Sequence, residues 1–350
     1  MSTATRQIIE AFRLQAGWCA QMNSPLYADL LELSTDNIAQ GGPVDEVVGG
    51  YEGDPVEAAL ALRFLGGVHR LVLMGLAPEL AAHYPSVGGT PDSSRIDEDF
   101  LETVALHRGY LTDALAIAPQ TNAVGRSALL LPGLFEALDG DNREVRLLEI
   151  GSSGGLNLLL DKFRYQLGEW EWGDPDSPVR IEAELEGKPP HQPALRVIDR
   201  RGCDVHPLDA TSEEHQLRLQ SFVWPDHERR FARTRGAIEI AQTMQPIVDE
   251  EDCGIWLGQQ LETRTSRGVL TVVQHSVMWQ YLPEQTKKAS LDALSEAGAR
   301  ATKARPLAHV AFEPVSGVGS GFTVTVTRWP GGEARTVASG QAHGEWVRWA

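Results

Sequence analysis

The stretch from Val145 to Leu160 constrains this chain most. Val145-Arg146-Leu147-Leu148-Glu149-Ile150 is an apolar run with the length of a buried strand. Gly151-Ser152-Ser153-Gly154-Gly155 follows, and Leu156-Asn157-Leu158-Leu159-Leu160 then reads as helix. A strand that passes through glycines into a helix leaves free backbone N–H groups at the helix start. That end carries partial positive charge and suits a carboxylate or phosphate. The missing side chains let a ligand lie against the backbone. Glu149, two residues before the first glycine, falls at the carboxyl end of the strand, where open α/β sheets bind ligands.

Upstream of this unit the chain reads as helix. Val56, Leu60, Phe64, Val68 and Leu71 form one apolar stripe at helical spacing, and Phe100, Val104, Leu111 and Leu115 form another. Glycine and proline breakers separate them, and no alternating strand precedes about residue 145. Downstream, residues 168–205 are rich in Pro, Gly and Trp and read as an insertion with a hairpin around Val179–Ala183. Thr211-Ser212-Glu213-Glu214 opens a helix as a capping box, Trp224-Pro225 breaks it, and it resumes to about Met244. Strands are expected at 245–248, 268–274 and 307–312, with a helix over 283–300. Phe322, Val324 and Val326 alternate with threonines, and Pro330-Gly331-Gly332 turns the chain into a second strand at 336–338. The expected fold class is therefore α/β: an α-helical cap region over 1–140, then a sheet domain over 141–350 that ends in an antiparallel hairpin.

Charge narrows the partners. Lys and Arg number 31 against 48 Asp and Glu, a net charge of −17. That field repels polyanions, so neither nucleic acid nor an anionic membrane is expected as a partner, and a small-molecule substrate is. The basic cluster Arg229, Arg230, Arg233 and Arg235 lies among acids at helical spacing and reads as a solvated face. Cys19, Cys203 and Cys253 are far apart, which fits a reducing compartment and excludes a disulfide scaffold. No apolar h-region opens the chain, so the expected location is cytoplasmic. The histidines show no metal-ligand spacing, and no metal is expected.

The segment Glu149-x-Gly151-x-Ser153-x-Gly155 resembles motif I of class I S-adenosylmethionine-dependent methyltransferases, acidic-x-Gly-x-Gly-x-Gly, with serine at the middle glycine. The resemblance covers roughly residues 145–350. It implies a Rossmann-like methyltransferase sheet, with S-adenosylmethionine as cofactor at Glu149, Gly151, Ser152, Ser153, Gly155 and Asn157. It implies Asp252, after a short strand, at the adenine edge, while Asp204 and Asp209 compete for the ribose hydroxyls. His275-Ser276 ends the fourth strand, where that superfamily places substrate and catalytic groups, and the final hairpin resembles its sixth and seventh strands. More closely, Gln120-Thr121-Asn122, Glu149-Ile150-Gly151, Gly155-Leu156-Asn157, Val223-Trp224-Pro225 and His275-Ser276 resemble an uncharacterised bacterial family known only as a domain of unknown function, which brings no activity with it.

Methyl transfer consists mainly of holding nucleophile and methyl in line. His275 and Tyr281 are the catalytic candidates, with His275 a base for a protonated acceptor and hydrogen bonding within the sheet its competing role. Glu313 is a second candidate base. Gln120, Asn122, Arg126, Ser276 and Trp279 are candidates for the acceptor side. Helix capping by Asp252 and core packing by Trp279 and Tyr281 are the structural alternatives. Gly151-x-Ser153-x-Gly155 also spells the nucleophile elbow of an α/β-hydrolase, with His275 or His343 as partner. A third reading is a methyltransferase-fold protein without turnover. The dinucleotide fingerprint fails, because Ser153 and Leu156 stand where glycines belong.

Overall fold

A computed structural model of the chain describes residues 2–188, 194–263, 265–315 and 321–350. The chain packs as two units, Met1–Thr121 with Glu213–Ala232, and Asn122–Ser212 with Arg233–Ala350.

The first unit is helical. It contains α1 (Thr3–Gln21), α2 (Pro25–Ala39), α3 (Pro43–Val48), α4 (Leu60–Leu73), α5 (Pro78–Ala81), α6 (Ile96–Leu106) and α7 (Arg108–Ala114). The next helix, α8 (Ser127–Leu138), belongs to the second unit, and α9 (Glu213–Ser221) returns to the first. Prolines open α2, α3 and α5, where a missing N–H costs nothing. Phe12, Tyr27, Phe64, Phe100 and Trp224 fill one apolar core, with Phe64 edge-on to Phe100. The stripe from Phe100 to Leu115 serves two helices, because His107 leaves helical geometry between α6 and α7. Val56 lies exposed before α4 begins. The Trp224-Pro225-Asp226 break has a use: Asp226 accepts from Ser24 Oγ at 2.6 Å and from the Leu26 N–H at 3.1 Å, at the start of α2.

The second unit is built on eleven strands: β1 (Glu144–Ile150), β2 (Arg164–Leu167), β3 (Trp170–Gly173), β4 (Arg180–Glu186), β5 (Arg196–Asp204), β6 (Ile247–Glu250), β7 (Val269–Ser276), β8 (Leu307–Pro314), β9 (Phe322–Trp329), β10 (Ala334–Gly340) and β11 (Trp346–Trp349). Its remaining helices are α10 (Glu228–Met244), whose residues divide between the units, α11 (Cys253–Glu262) and α12 (Glu284–Arg300). The strand order is β3-β2-β4-β11-β10-β9-β8-β7-β1-β5-β6. From β6 to β8 all neighbours are parallel. After β1 the chain first forms β2–β4, which pair beyond β11; the parallel strands then run outward from β1 through β5 to β6 and return to β7 and β8 on the other side of β1. The direction therefore reverses between β1 and β7, and open α/β sheets bind ligands at such a switch point.

The expected terminal hairpin is β9–β10, and β9 pairs antiparallel with β8. One expectation fails around the insertion. Residues 179–183 form no hairpin; β4 runs parallel to both β2 and β11. The hairpin is β2–β3, turned at Gly168-Glu169 with Gly168 at φ 58, the conformation a tight strand reversal requires. The insertion thus extends the sheet.

The two faces of the sheet are covered differently. On one, α8 approaches so closely that a side chain on Gly133 would meet Val310 at 2.7 Å. On the other, Leu148, Ile150 and Val273 pack with Trp256 and Leu257 of α11 and Leu294 of α12. Among the described residues no helix is long and apolar enough to cross a membrane.

Candidate functional site

Glu149 is the penultimate residue of β1, paired in register with Gly202 on β5 and Gln274 on β7. Side chains paired in a parallel ladder share a face, and successive ones alternate. Gln274 also pairs with Val310, the α8 neighbour, so Glu149 and Gln274 lie on the α8 face. His275, His309 and Glu313 lie on the opposite face with Val273.

The α8 face holds polar atoms that nothing satisfies. Glu149 and Asn157 are each 1% exposed, and Gln274 is fully buried. Glu149 Oε2, Asn157 Oδ1, Gln274 Oε1 and Ser153 Oγ have no hydrogen-bond partner. Both amides are oriented by their nitrogens: Gln274 Nε2 donates to Asn157 O at 3.3 Å, and Asn157 Nδ2 donates to Ala123 O at 3.4 Å. The leftover atoms on Asn157 and Gln274 are therefore acceptors, and both Glu149 oxygens accept once its carboxyl ionises. Burial pushes the Glu149 carboxyl up to about 8, against the opposing pull of Gln274 and of Arg126. Arg126 is itself buried and drawn down to about 10 by desolvation; its guanidinium donates to Ser276 O at 3.0 Å and Ala342 O at 3.1 Å.

The bend after β1 is tightly tied. Gly151, Ser153 and Gly155 have φ of 64, 54 and 69. Ser152 donates to Cys203 O through its N–H at 3.0 Å and its Oγ at 3.2 Å. The Ser153 N–H donates to Asp204 Oδ2 at 2.9 Å, while Asp204 Oδ1 takes the His206 N–H. The expected helix is a 3-10 segment, Leu156–Lys162, and its first N–H is capped by Asn122 Oδ1 at 2.8 Å. A Cβ at Gly151 would lie 2.8 Å from Met278 and one at Gly155 3.0 Å from Val248. The left-handed backbone favours glycine at both positions, and the protein's own side chains lie beside them where the sequence suggested open room for a ligand.

The other candidates are dispersed. Asp252 caps α11, its Oδ1 taking the Gly254 and Ile255 N–H groups and its Oδ2 the Thr286 hydroxyl. Asp209 is exposed and closes a turn on Thr211. Gln120 belongs to the helical unit. The Ser276 carbonyl serves Arg126. Tyr281 is 76% exposed. Trp279 stacks on His275 with ring centres 5.2 Å apart. His275 Nδ1 meets Glu313 Oε1 at 2.7 Å and its Nε2 meets His309 Nε2 at 2.9 Å, so both ring nitrogens are engaged. Ser153 Oγ has no partner, so no histidine among the described residues holds it as a base would. Within the described residues no three His, Cys, Asp or Glu side chains are grouped to hold a metal ion.

Sequence reasoning passed over Gln274 and His309. Gln274 follows directly on the mostly apolar run Val269–Val273 and His309 interrupts Leu307–Phe312, and a polar residue in each strand was the available signal.

A family model described as "Uncharacterized protein conserved in bacteria (DUF2332)" matches residues 9–349. No curated protein and no solved structure matches the chain.

Proposed function

The chain belongs to this uncharacterised bacterial family, and we propose that it is an S-adenosylmethionine-dependent methyltransferase with a Rossmann-like sheet, acting on a small-molecule acceptor. One observation carries the reading. Three buried oxygens without partners, Glu149 Oε2, Asn157 Oδ1 and Gln274 Oε1, belong to neighbouring elements at the switch point of the sheet. Buried acceptors left unpaired cost free energy and call for a donor-rich, positively charged guest. An amino-acid ammonium meets that demand, and the buried Arg126 supplies positive charge for a carboxylate. The motif I pattern, the strand order about β1 and Asp204 at the end of β5 agree with it.

When bound, S-adenosylmethionine supplies an activated methyl group on a sulfonium. The chain's own residues orient and exclude water: Glu149, Asn157 and Gln274 accept from the ligand, and Ser153 with Asp204 fixes the bend. Asp252 and His275, both occupied by internal hydrogen bonds, favour a second reading, a binding module of the same fold without turnover.

Calorimetry with S-adenosylmethionine and S-adenosylhomocysteine tests both. The empty Glu149 carboxyl is mostly protonated at pH 7 and must ionise to pair with an ammonium. Binding in two buffers of different ionisation enthalpy is therefore expected to show release of a fraction of one proton, fading by pH 9.5. No heat with either ligand at millimolar concentration removes the cofactor from both readings. Binding without product across a panel of acceptors favours the module.

A further inference from the structure

The turn that leaves β7 is held in a conformation its own sequence disfavours. Val277 lies at φ 52, a left-handed geometry that a β-branched residue rarely adopts. Its N–H donates to Phe312 O at 2.9 Å. The next two N–H groups, of Met278 and Trp279, converge on Glu313 Oε1 at 3.1 and 3.3 Å. The same oxygen faces His275 Nδ1 at 2.7 Å. On the other side of the chain Arg126 holds Ser276 O, one residue before the strained position.

The protons on the imidazoles follow from this arrangement. A carboxylate only accepts, so His275 carries its proton on Nδ1. Its Nε2 meets His309 Nε2 at 2.9 Å, so one of the two rings donates to the other. His309 stays neutral, because burial and the neighbouring His275 hold its imidazole down at about 3. His275 is thus committed on both nitrogens and stacked beneath Trp279. Met278 carries the consequence to the glycine bend, since its side chain fills the space beside Gly151.

We propose that Glu313 is a positioning residue: its Oε1 clamps the Val277–Trp279 turn, and through Met278 the clamp fixes the Gly151 end of the bend that borders the proposed ligand site. The consequence for binding rests on the proposed function; the clamp itself does not.

Hydrogen exchange on the full chain reads the clamp without any ligand. In Glu313→Ala, exchange is expected to quicken at least tenfold in peptides covering 277–282 and also in those covering 150–156, with the helical unit unchanged. Glu313→Gln keeps an accepting oxygen and is expected to restore most of the protection. Met278→Ala leaves the Glu313 hydrogen bonds in place, so 277–279 should stay protected while 150–156 loosens. Unchanged exchange at 150–156 in Glu313→Ala, or in Met278→Ala should Glu313→Ala not fold, overturns the proposal. Calorimetry with S-adenosylhomocysteine adds the second arm: at least tenfold weaker binding for Glu313→Ala and under threefold for Glu313→Gln. A wild-type chain that binds no S-adenosylhomocysteine removes the cofactor reading and leaves the exchange result to decide the clamp. Wild-type binding that Glu313→Ala leaves intact overturns the link from clamp to site.

Discussion

Gln274 and His275 are neighbours on one strand and could hardly be treated more differently. Gln274 points to the α8 face with an oxygen that nothing satisfies, beside Glu149 and Asn157 in the same condition. His275 points to the α11–α12 face with every ring nitrogen engaged, in a chain that runs from Glu313 through His275 to His309. On that face one buried oxygen, Glu313 Oε2, lacks a partner, whereas the α8 face gathers those of Glu149, Asn157 and Gln274, and a buried group of unsatisfied acceptors points to something else that fills it. The two faces of the same sheet edge therefore divide the labour. One holds the turn in place, and the other offers acceptors.

That division makes a lopsided mutational forecast. Removing one member of a satisfied network strands its partners, whereas removing an atom with no partner strands nothing. His275→Leu leaves His309 Nε2 unpaired and takes from Glu313 Oε1 its shortest contact, leaving it the Met278 and Trp279 N–H groups, and is expected to lose about 2–4 kcal/mol of stability. Gln274→Met gives up the 3.3 Å bond to Asn157 O, the orphan oxygen and the contact with Glu149, whose carboxyl is largely protonated at pH 7, and is expected to change stability by about 1 kcal/mol or less. Urea unfolding of both variants settles the contrast. Equal losses would dissolve the distinction between the faces.

Glu149 sharpens it through pH. Its carboxyl is raised from the ordinary 4.5 to about 8, so the folded state keeps its proton longer than the unfolded chain does. Stability from this group is fully present below pH 4.5 and is lost as pH rises through about 8. Between pH 6 and pH 9 the wild-type chain is expected to lose about 2–3 kcal/mol from this group alone. Glu149→Gln, the isostere of the protonated acid, should erase that loss and be the more stable protein at pH 9. Parallel pH profiles for the two would mean that the carboxylate finds a partner when it ionises.

What could be read in the sequence follows the same physical line. Strands β7, β8 and β9 show in local period and apolar content, and the bend at Gly151–Gly155 shows in its composition. Asp252 was read as the adenine-side residue with helix capping as the alternative, and it caps α11. Strands β2, β3 and β11 are four residues each, too short for a period to declare itself, and they are fixed by pairing partners distant in sequence. The side of the sheet on which His275 falls is a matter of register. A one-residue shift exchanges the faces, and nothing in the His275-Ser276 pair reveals which one applies. Met278 against Gly151 is a contact across more than a hundred residues, so the sequence explained that glycine by a ligand and the fold explains it by packing.

Ser153 gives the smallest effect and the finest test of the acceptor face. It is the one non-glycine among the three left-handed residues of the bend, and its hydroxyl is buried without a partner. Its N–H, which does bond to Asp204, survives substitution by glycine. Ser153→Gly relieves a left-handed side chain and removes an idle polar atom, against some added freedom in the unfolded chain. The net expectation is a gain of about 0.5–1 kcal/mol. Calorimetry on the same variant then places the hydroxyl. Greater stability with unchanged affinity for S-adenosylhomocysteine leaves the oxygen out of the site, and greater stability with weaker binding puts it among the acceptors. A fluorophosphonate should leave Ser153 unlabelled, since a nucleophile needs a base within hydrogen-bond reach and this oxygen has none. A loss of stability in Ser153→Gly would mean that the hydroxyl has a partner in solution after all, and the contrast between the two faces of the sheet would narrow by one atom.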